Sequence, residues 1–517
     1  MEYILKGKII TLNKRKQIIK EGYVGIKDQK ISFVTANPGN FPDDFRNLKP
    51  IDTGGVIYPG LIDLHNHLPY NFLSLWNITK KYDDRYQWAR IKKYGQEISS
   101  PTKLLAYTNP VELIKYVETK ALLGGITSID GYAKFNKSYS AWLLRNIEEE
   151  PFGNQEPPIY QSVLRLKNEQ EFINTGKKMD KGNAFIYHFA EGTSSKLIEE
   201  YNELEKYNLF RDKLIGIHCT ALGPNEWEIL GNNNVRLVWS PLSNMLLYGK
   251  TTDVINAKKN GTIISLGSDW SPTGSKNILW ELKVADLVNK ENLNNFFSHR
   301  DLVEMITLNP AKATNFDDKI GMIHPNLYAD LVVFDNIKDD DPYLNLILAT
   351  EKNLRLSIID GRPRCGDLDL LKELGVEVFE EITIGDRKKG VDIIEPNHEH
   401  GEVTLTQSIS ALEETLKNPV ASARKLFTKM RLLKAGEEPL HLILEEEQAF
   451  DEGSPKKLIP KSTFNSFMNA NFETDDIQIR KQRLDPLTMY GDTDFFSILN
   501  NNPNIPRFLE KLKDYII

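Results

Sequence analysis

Short runs of alternating apolar and polar residues fill the first 57 positions and predict β-strands. The runs at 3–5, 8–12, 22–26 and 30–34 are rich in β-branched and aromatic residues, and a turn at 27–29 separates the last two. Side chains in such runs point alternately to the two faces of a sheet. The pattern therefore predicts an antiparallel meander at the start of the chain.

From about residue 58 to 324, short β-branched runs alternate with longer segments of helical periodicity. The strand-like runs are 60–65, 125–129, 159–166, 184–189, 214–219, 235–239 and 262–266. Strand–helix alternation is typical of parallel βαβ units. Seven strands are clear, and residues 139–144 carry a weak signal for an eighth. The prediction is an α/β protein with a (β/α)8 TIM-like barrel, whose active site lies at the C-terminal ends of the strands.

Residue patterns typical of β-strands occur again at 327–334 and 354–359, after the barrel segment. We expect these strands to join the N-terminal meander in a small β-sandwich domain built from residues 1–57 and 325–400, around a barrel at 58–324. Residues 401–517 are polar, mostly helical in pattern, and interrupted by charged loops such as 445–447. They predict a helical C-terminal extension of unknown role, and a partner-binding module is one interpretation of it.

Composition excludes several classes of partner. Lys plus Arg is 65 and Asp plus Glu is 72, a net charge of -7, which argues against nucleic acid. Two cysteines cannot build a disulfide framework. The N-terminus lacks the apolar core of a signal peptide, and no apolar run reaches the roughly 18 residues of a membrane span. The expectation is a cytoplasmic protein without a membrane partner.

Two histidines stand two positions apart at the end of a short apolar run that follows Pro59 and Gly60. Because side chains alternate along a strand, His65 and His67 should project from the same face. Two imidazoles on one face can bind a transition metal together. Such pairs also occur by chance on exposed strands, so the rest of the chain must decide between the two interpretations.

Other potential ligands follow other predicted strands. His188 ends the run at 184–189, with Glu191 three residues later; His218 ends the next run, and Asp269 follows the last. Taken singly, His188 and His218 could be buried structural residues. Their shared position at the C-terminal ends of strands favours a metal site. A second paired-histidine motif at 398–400 has no apolar run before it and is interpreted as a surface loop.

Several short motifs, in unbroken order, resemble one family. They are His65-Asn66-His67 after Pro59-Gly60, His188 with Glu191, His218, Asp269 after Leu266-Gly267-Ser268, Ser240-Pro241-Leu242-Ser243-Asn244, and Asn309-Pro310-Ala311-Lys312-Ala313 followed by Ala329-Asp330-Leu331. The chain resembles the amidohydrolase superfamily, in the branch with guanine deaminase, cytosine deaminase, S-adenosylhomocysteine deaminase and the triazine hydrolases. The resemblance covers the chain to about residue 365 and leaves the last hundred or so residues out.

The resemblance implies a role for each residue. One divalent metal, zinc or iron, would be held by His65, His67, His188 and Asp269. Asp269 would also accept a proton from the metal-activated water, Glu191 would shuttle protons, and His218 would polarise the substrate. Three imidazoles and a carboxylate suit such an ion. No lysine lies within the fourth strand, which favours one metal over a lysine-bridged pair.

The implied function is a metal-dependent hydrolase of carbon–nitrogen bonds other than peptide bonds, in which activated water attacks an sp2 carbon of a small heterocyclic substrate. Deamination is favoured, because the pairing of Glu191 with His218 resembles deaminases. Hydrolysis of a cyclic amide or amidine, and a non-catalytic scaffold on the same fold, are the alternatives. Candidate substrate contacts, by position, are Tyr70, Trp88, Arg165 and Trp270. By analogy with the family, we expect a homo-oligomer, most simply a dimer.

Overall fold

A computed structural model describes residues 2–15, 17–149, 151–153, 159–432, 437–445 and 479–516. The β-strands of these residues are β1 (Glu2–Ile10), β2 (Ile18–Lys27), β3 (Lys30–Thr35), β4 (Ile51–Pro59), β5 (Leu61–Asp63), β6 (Ile126–Ile129), β7 (Lys134–Phe135), β8 (Arg145–Asn146), β9 (Ile159–Ser162), β10 (Ala184–Phe189), β11 (Leu214–His218), β12 (Arg236–Trp239), β13 (Ile264–Leu266), β14 (Leu331–Asp335), β15 (Leu354–Ile359), β16 (Arg362–Asp367), β17 (Glu380–Ile384), β18 (Arg387–Val391) and β19 (Leu442–Ile443).

Helices alternate with many of these strands. The α-helices of the described residues are α1 (Arg85–Trp88), α2 (Lys92–Tyr94), α3 (Ser100–Thr108), α4 (Pro110–Leu123), α5 (Glu169–Asp180), α6 (Ile198–Lys206), α7 (Pro224–Asn232), α8 (Pro241–Tyr248), α9 (Val254–Lys259), α10 (Ile278–Glu291), α11 (His299–Glu304), α12 (Leu308–Ala313), α13 (Pro342–Leu348), α14 (Leu368–Glu373), α15 (Leu405–Lys417), α16 (Pro419–Leu432) and α17 (Phe495–Asn500). A π-helix (Gly95–Ser99) precedes α3, and a 3-10 helix (Arg507–Tyr515) lies near the end. None of these helices combines the length and apolar character needed to cross a membrane.

One nine-stranded sheet takes its strands from both ends of the chain. Its order is β17-β18-β16-β15-β14-β4-β1-β2-β3. Neighbours are antiparallel except β1 and β4, which are parallel. Alternation places Leu5, Ile57, Val333 and Leu356 in one fully buried cluster. This apolar face stabilises the sheet and joins the N-terminal meander to the strands that follow residue 330.

Eight further strands are parallel and lie in two sheets, ordered β5-β6-β8 and β13-β12-β11-β10-β9. The ends of β5 and β13 adjoin, because the His67 amide donates to the Asp269 carbonyl (3.0 Å) and the Asp269 amide donates to the His65 carbonyl (2.9 Å). Among the described residues no ladder joins β8 to β9. Parallel strands with helices between them place their C-terminal ends at one edge, where the predicted site residues lie.

The eighth strand that the sequence weakly predicts at 139–144 lies slightly later in the chain. The strand beside β6 is the two-residue β8, Arg145–Asn146, directly after that segment. It has no apolar pattern because both of its residues are polar and buried. Arg145 donates to both carboxylate oxygens of Asp330, at 3.0 Å each, next to the first strand that follows the barrel segment. A buried ion pair across two sheets leaves no local periodicity by which this strand could be recognised.

The C-terminal segment packs against the parallel strands and their helices through buried charges. Asp485 lies 2.5 Å from the Lys120 ammonium and 2.8 Å from that of Lys276, and Asp492 lies 2.5 Å from Lys276. All four side chains are buried. An unpaired charge is costly in a protein interior. Residues 479–516 therefore complete the charge balance of the segment at 58–324.

Candidate metal centre and active-site pocket

His65 and His67 lie just past β5, on a segment that continues the strand beside Asp269. Their rings are 4.7 Å apart between centroids, on one side of the backbone as alternation predicts. Asn66 faces the other way, and its amide donates to Ser268 Oγ (2.9 Å). Gly267 is required for this approach, since a Cβ there would lie 2.4 Å from the Cβ of His65.

Asp63 links the end of β5 to the segment after β13 through hydrogen bonds. Its carboxylate accepts hydrogen bonds from Ser268 N (3.1 Å), Ser268 Oγ (2.5 Å) and the Asn66 amide (3.2 Å). Burial raises the pKa of Asp63 to about 6, although these hydrogen bonds lower it. Asp63 thus supports the backbone that carries the two histidines.

His188, His218 and Asp269 converge on the same point. The His65 ring lies 4.7 Å from that of His188 and 5.1 Å from that of His218. Asp269 Oδ1 is 3.4 Å from His65 Nε2 and 3.2 Å from His67 Nε2. His218 (φ 63°) and Asp269 (φ 61°) both adopt left-handed backbone conformations. Non-glycine residues rarely do so, and such strain is concentrated at functional sites.

The donor set fits a divalent metal. Ligand atoms of His65, His67 and His188 lie within 4.8 Å of one another, as do those of His65, His218 and Asp269. Among the described residues neither ring nitrogen of His65, nor Nδ1 of His188, has a hydrogen-bond partner, although these atoms are buried. Buried polar atoms are normally satisfied, so a bound ion would account for one nitrogen of each ring.

The electrostatics agree with this fit. Burial lowers the pKa of His65 to about 3 and that of His188 well below its usual value, which keeps both rings neutral. Burial alone would raise the pKa of Asp269, but His65 and His67 outweigh it and hold that pKa well below its usual range. Burial also lowers the pKa of His67, but Glu445 and Asp269 outweigh it and raise that pKa to about 10. Neutral rings at His65 and His188, an ionised Asp269 and surroundings that stabilise positive charge are what a cation requires, and His67 would release its second proton when the ion binds.

Glu191 is held by a chain of hydrogen bonds from α8 and α1. The Tyr248 hydroxyl donates to Glu191 Oε1 (2.5 Å), and the Trp88 indole donates to the Tyr248 oxygen (3.0 Å). Arg85 Nη1 lies 3.9 Å from the other carboxylate oxygen. The carboxylate is buried at the pocket wall, oriented from one side and accompanied by a cation on the other.

His218 is oriented by Asn244, four residues before Tyr248 on α8. His218 Nδ1 lies 2.8 Å from Asn244 Oδ1, and the Asn244 amide donates to Thr252 Oγ1 (3.2 Å), which fixes the amide orientation. An amide oxygen only accepts, so Nδ1 carries the proton. His218 Nε2 then faces Glu191 Oε1 and Asp269 Oδ2, at 4.0 Å from each.

An aromatic pocket opens over these groups and encloses about 780 Å³, its open mouth included. The four predicted substrate contacts, Tyr70, Trp88, Arg165 and Trp270, all line it. Its other lining residues are His67, Arg85, Tyr86, Ala89, Tyr94, Val163, Leu164, His188, Glu191, His218, Asp269 and Glu445. Trp270 packs against Tyr70 and Trp88, with ring centroids 5.0 Å and 5.9 Å apart, so the three rings form one continuous aromatic wall.

Sequence reasoning missed two contributors to this site. Tyr248 had a usable signal, because it shares a face of α8 with Asn244 at the i, i+4 spacing. Glu445 had none, since it stands in a stretch that reads as a charged surface loop. Residues 446 and 447 of that stretch lie outside the described residues. The second paired-histidine motif remains apart from the site: His400 is exposed, and His398 Nδ1 lies near Ser140 Oγ (2.9 Å).

Comparisons with known proteins agree with this geometry. The amidohydrolase family model matches residues 179–363. A 5-methylthioadenosine/S-adenosylhomocysteine deaminase of Clostridium tetani is 23% identical over 363 residues, which cover 63% of this chain and 83% of the relative. Escherichia coli guanine deaminase shares the fold, with a TM-score of 0.54, 17% identity, and coverage of 70% of this chain and 99% of that one. Residues 179–363 thus match the amidohydrolase family, and the fold around them resembles that of guanine deaminase.

The amidohydrolase match and the relatives named as deaminases indicate a hydrolase acting on carbon–nitrogen bonds other than peptide bonds. A variant atrazine chlorohydrolase of Arthrobacter aurescens TC1, solved with zinc and atraton, also matches, with a TM-score of 0.57, 16% identity, and coverage of 70% of this chain and 94% of that one. Metal dependence is a property of this superfamily, and the histidine–aspartate cluster described above is where this amidohydrolase could hold its ion.

Proposed function

We propose that this amidohydrolase is a metal-dependent deaminase of an adenine-type nucleoside. The observation that carries the proposal is the convergence of His65, His67, His188 and Asp269 beside Glu191 and His218, under an aromatic pocket. The curated relative named as a 5-methylthioadenosine/S-adenosylhomocysteine deaminase supports an adenosine with a sulfur-containing 5′ substituent as the substrate class.

His65, His67, His188 and Asp269 would hold one divalent ion. When bound, such an ion makes a hydroxide-like nucleophile available near neutral pH. The zinc present in the triazine-hydrolase structure supports zinc as the native ion, with iron as the alternative. Asp269 Oδ2, which faces His218, is placed to accept a hydrogen bond from that water.

Glu191 would move the proton. Its carboxylate takes a proton from the attacking water and delivers it to the ring nitrogen beside the amino-bearing carbon. The water oxygen bonds to that carbon, the carbon–nitrogen bond to the amino group breaks, and the group leaves as ammonia with the second water proton. The sum is amine plus water to ring carbonyl plus ammonia. Tyr248 holds Glu191 in position for both transfers.

His218 and the aromatic walls would set the geometry of attack. His218 Nε2, between Glu191 and Asp269, contacts the reacting atoms and aligns them with the carboxylates. Trp88, Trp270 and Tyr70 enclose a flat ring, and stacking on them positions the purine. Arg165, which is partly exposed and lines the pocket, would contact the 5′ substituent of the nucleoside.

A substrate panel tests the proposal directly. Zinc-loaded protein is assayed for ammonia release from 5-methylthioadenosine, S-adenosylhomocysteine, adenosine, guanine and atraton, beside Glu191→Gln as the matched control. We expect turnover of the adenosine derivatives by the wild type and a loss of at least about 100-fold in the Gln variant. Equal rates in the two proteins would reject the role of Glu191. Turnover of the triazine alone would reject the substrate class.

We also propose the architecture and setting that superfamily membership favours. Residues 58–324 would close into a (β/α)8 barrel, residues 1–57 and 325–400 would form a β-sandwich domain, and 401–517 would form a mostly helical extension. The eight parallel strands and the shared nine-stranded sheet support this division. A homodimer in the cytoplasm is the expected state, and light scattering tests the subunit count.

A further inference from the structure

A carboxylate from the C-terminal segment reaches the proposed metal centre. Glu445 Oε1 lies 2.7 Å from His67 Nδ1, and both side chains are buried. A carboxylate oxygen accepts, so Nδ1 carries a hydrogen, and Nε2 is the nitrogen that can bind a metal once its own proton is released. That Nε2 is the atom 3.2 Å from Asp269 Oδ1, inside the cluster. Glu445 therefore presents His67 in the tautomer that a metal needs.

The other two histidine ligands lack such support among the described residues. Both nitrogens of His65 and Nδ1 of His188 have no hydrogen-bond partner there. Metal-bound histidines generally donate their outer N–H to a carboxylate or carbonyl, and loss of that acceptor typically costs 10–100-fold in metal affinity. Among the described residues, Glu445 therefore orients the ring of His67 and neither of the other two histidine ligands.

The segment that carries Glu445 is held in place by strand pairing, hydrogen bonds and aromatic stacking. β19 pairs with β7, where Leu442 lies opposite Phe135, and Leu442 is fully buried. The Asn136 amide donates to the His441 carbonyl (3.1 Å), and the His441 amide donates to Asn136 Oδ1 (3.0 Å). The His441 ring also stacks on Tyr107 at 4.5 Å. These contacts fix the position of Glu445 relative to the parallel strands.

We propose that Glu445 is a positioning residue for the metal, by which residues 437–445 control how tightly the centre holds its ion. It lies far along the chain from the matched family region at 179–363 and 378 positions from His67. The proposal rests on the metal site proposed above and adds a third element to it: the C-terminal segment completes the centre.

The test compares zinc affinity in Glu445→Ala, Glu445→Gln and the matched control Glu438→Ala, whose carboxylate comes from the same segment but does not line the pocket. Affinity is measured by competition with a chromogenic chelator, and folding by thermal unfolding of each metal-free protein. We expect a loss of about 10–100-fold for Ala. Gln keeps an acceptor oxygen without the charge and should lose less. The Glu438 variant should match the wild type.

The outcomes are separable. Wild-type zinc affinity in folded Glu445→Ala overturns this inference and leaves the proposed function standing. A lowered unfolding temperature with unchanged affinity shows a purely structural role and also overturns it. Failure of the wild type to bind zinc overturns both proposals. Tight zinc binding that depends on Glu445, without deaminase turnover, supports this inference and rejects the proposed substrate. If Glu445→Ala does not fold, Glu445→Gln decides the question through the same competition.

Discussion

Three residues of the proposed centre are oriented by one neighbouring side chain each. Asn244 fixes His218, Tyr248 fixes Glu191, and Glu445 fixes His67. Hydrogen bonds to charged groups are worth about 1.5–3 kcal/mol. The chemistry of the pocket should therefore be sensitive to residues that never touch the substrate.

Tyr248→Phe should lower kcat by about 10- to 100-fold, because the hydroxyl that holds the Glu191 carboxylate is lost while the ring remains. Zinc affinity should not change, since Tyr248 contacts no proposed ligand of the metal. Steady-state kinetics beside a zinc competition assay check this. Tyr207→Phe, on the outside of the fold, is the control. A parallel loss of zinc would show that Tyr248 acts on the metal instead.

At the residue scale, the sequence predicts positions that follow strands and misses contacts made across the chain. His65, His67, His188, His218 and Asp269 could be grouped because strand alternation and the barrel edge are local rules. Glu445 could not, because nothing in its neighbourhood distinguishes an acid on the surface from one aimed at a histidine 378 positions away.

At the scale of elements, helix α8 carries two of the positioning residues and is itself anchored by α10. The Glu281 carboxylate on α10 accepts a hydrogen bond from the Leu242 amide (3.1 Å) in the first turn of α8, and another from the Ser275 hydroxyl. Glu281 is fully buried, and burial raises its pKa to about 8. The acid is therefore neutral in the folded protein at neutral pH.

Glu281→Gln should stabilise the protein increasingly as the pH rises. An acid whose folded pKa is raised binds more protons folded than unfolded, so its contribution is complete below about pH 4.5 and is lost toward pH 8. The difference in unfolding free energy between Glu281→Gln and the wild type should grow by at most about 1.4 kcal/mol per pH unit between about pH 4.5 and pH 8. Unfolding midpoints at pH 5, 6, 7 and 8 measure it. A pH-independent difference would contradict a neutral Glu281.

Periodicity located most elements because strands and helices of this class follow one another along the chain. It failed at β8, whose two residues are polar because Arg145 pairs with Asp330 of the other sheet. It also extended the first parallel strand too far: β5 ends at Asp63, and His65 and His67 are held by backbone bonds to the Asp269 segment. Both errors come from long-range contacts that override local pattern.

At the scale of the whole molecule, the C-terminal segment belongs to the catalytic unit. Its Asp485 neutralises Lys120 and Lys276, which are buried beneath the pocket-forming strands, and its Glu445 lines the pocket. A separable partner-binding module would not leave two buried ammonium groups without counter-ions on removal. The sequence shows no motif there because these contacts couple residues more than 200 positions apart.

Asp485→Asn should destabilise the protein by about 3–5 kcal/mol, because it removes one partner from a buried charge cluster. Urea unfolding of the 517-residue chain measures the change. Asp494→Asn is the matched control, since Asp494 lies exposed nearby with a loose contact to Arg483. A loss below about 1 kcal/mol for Asp485→Asn, the range of surface pairs, would show that the segment is not needed for the stability of the fold.

The most direct test of the proposed centre is the metal content per chain of the 517-residue protein purified without chelator and then dialysed against zinc. Elemental mass spectrometry counts the ions. A single centre formed by three histidines and one aspartate predicts about one divalent ion per chain. Two ions per chain would require a bridging ligand that the cluster does not contain. No retained ion would contradict the metal centre and the proposed deaminase with it.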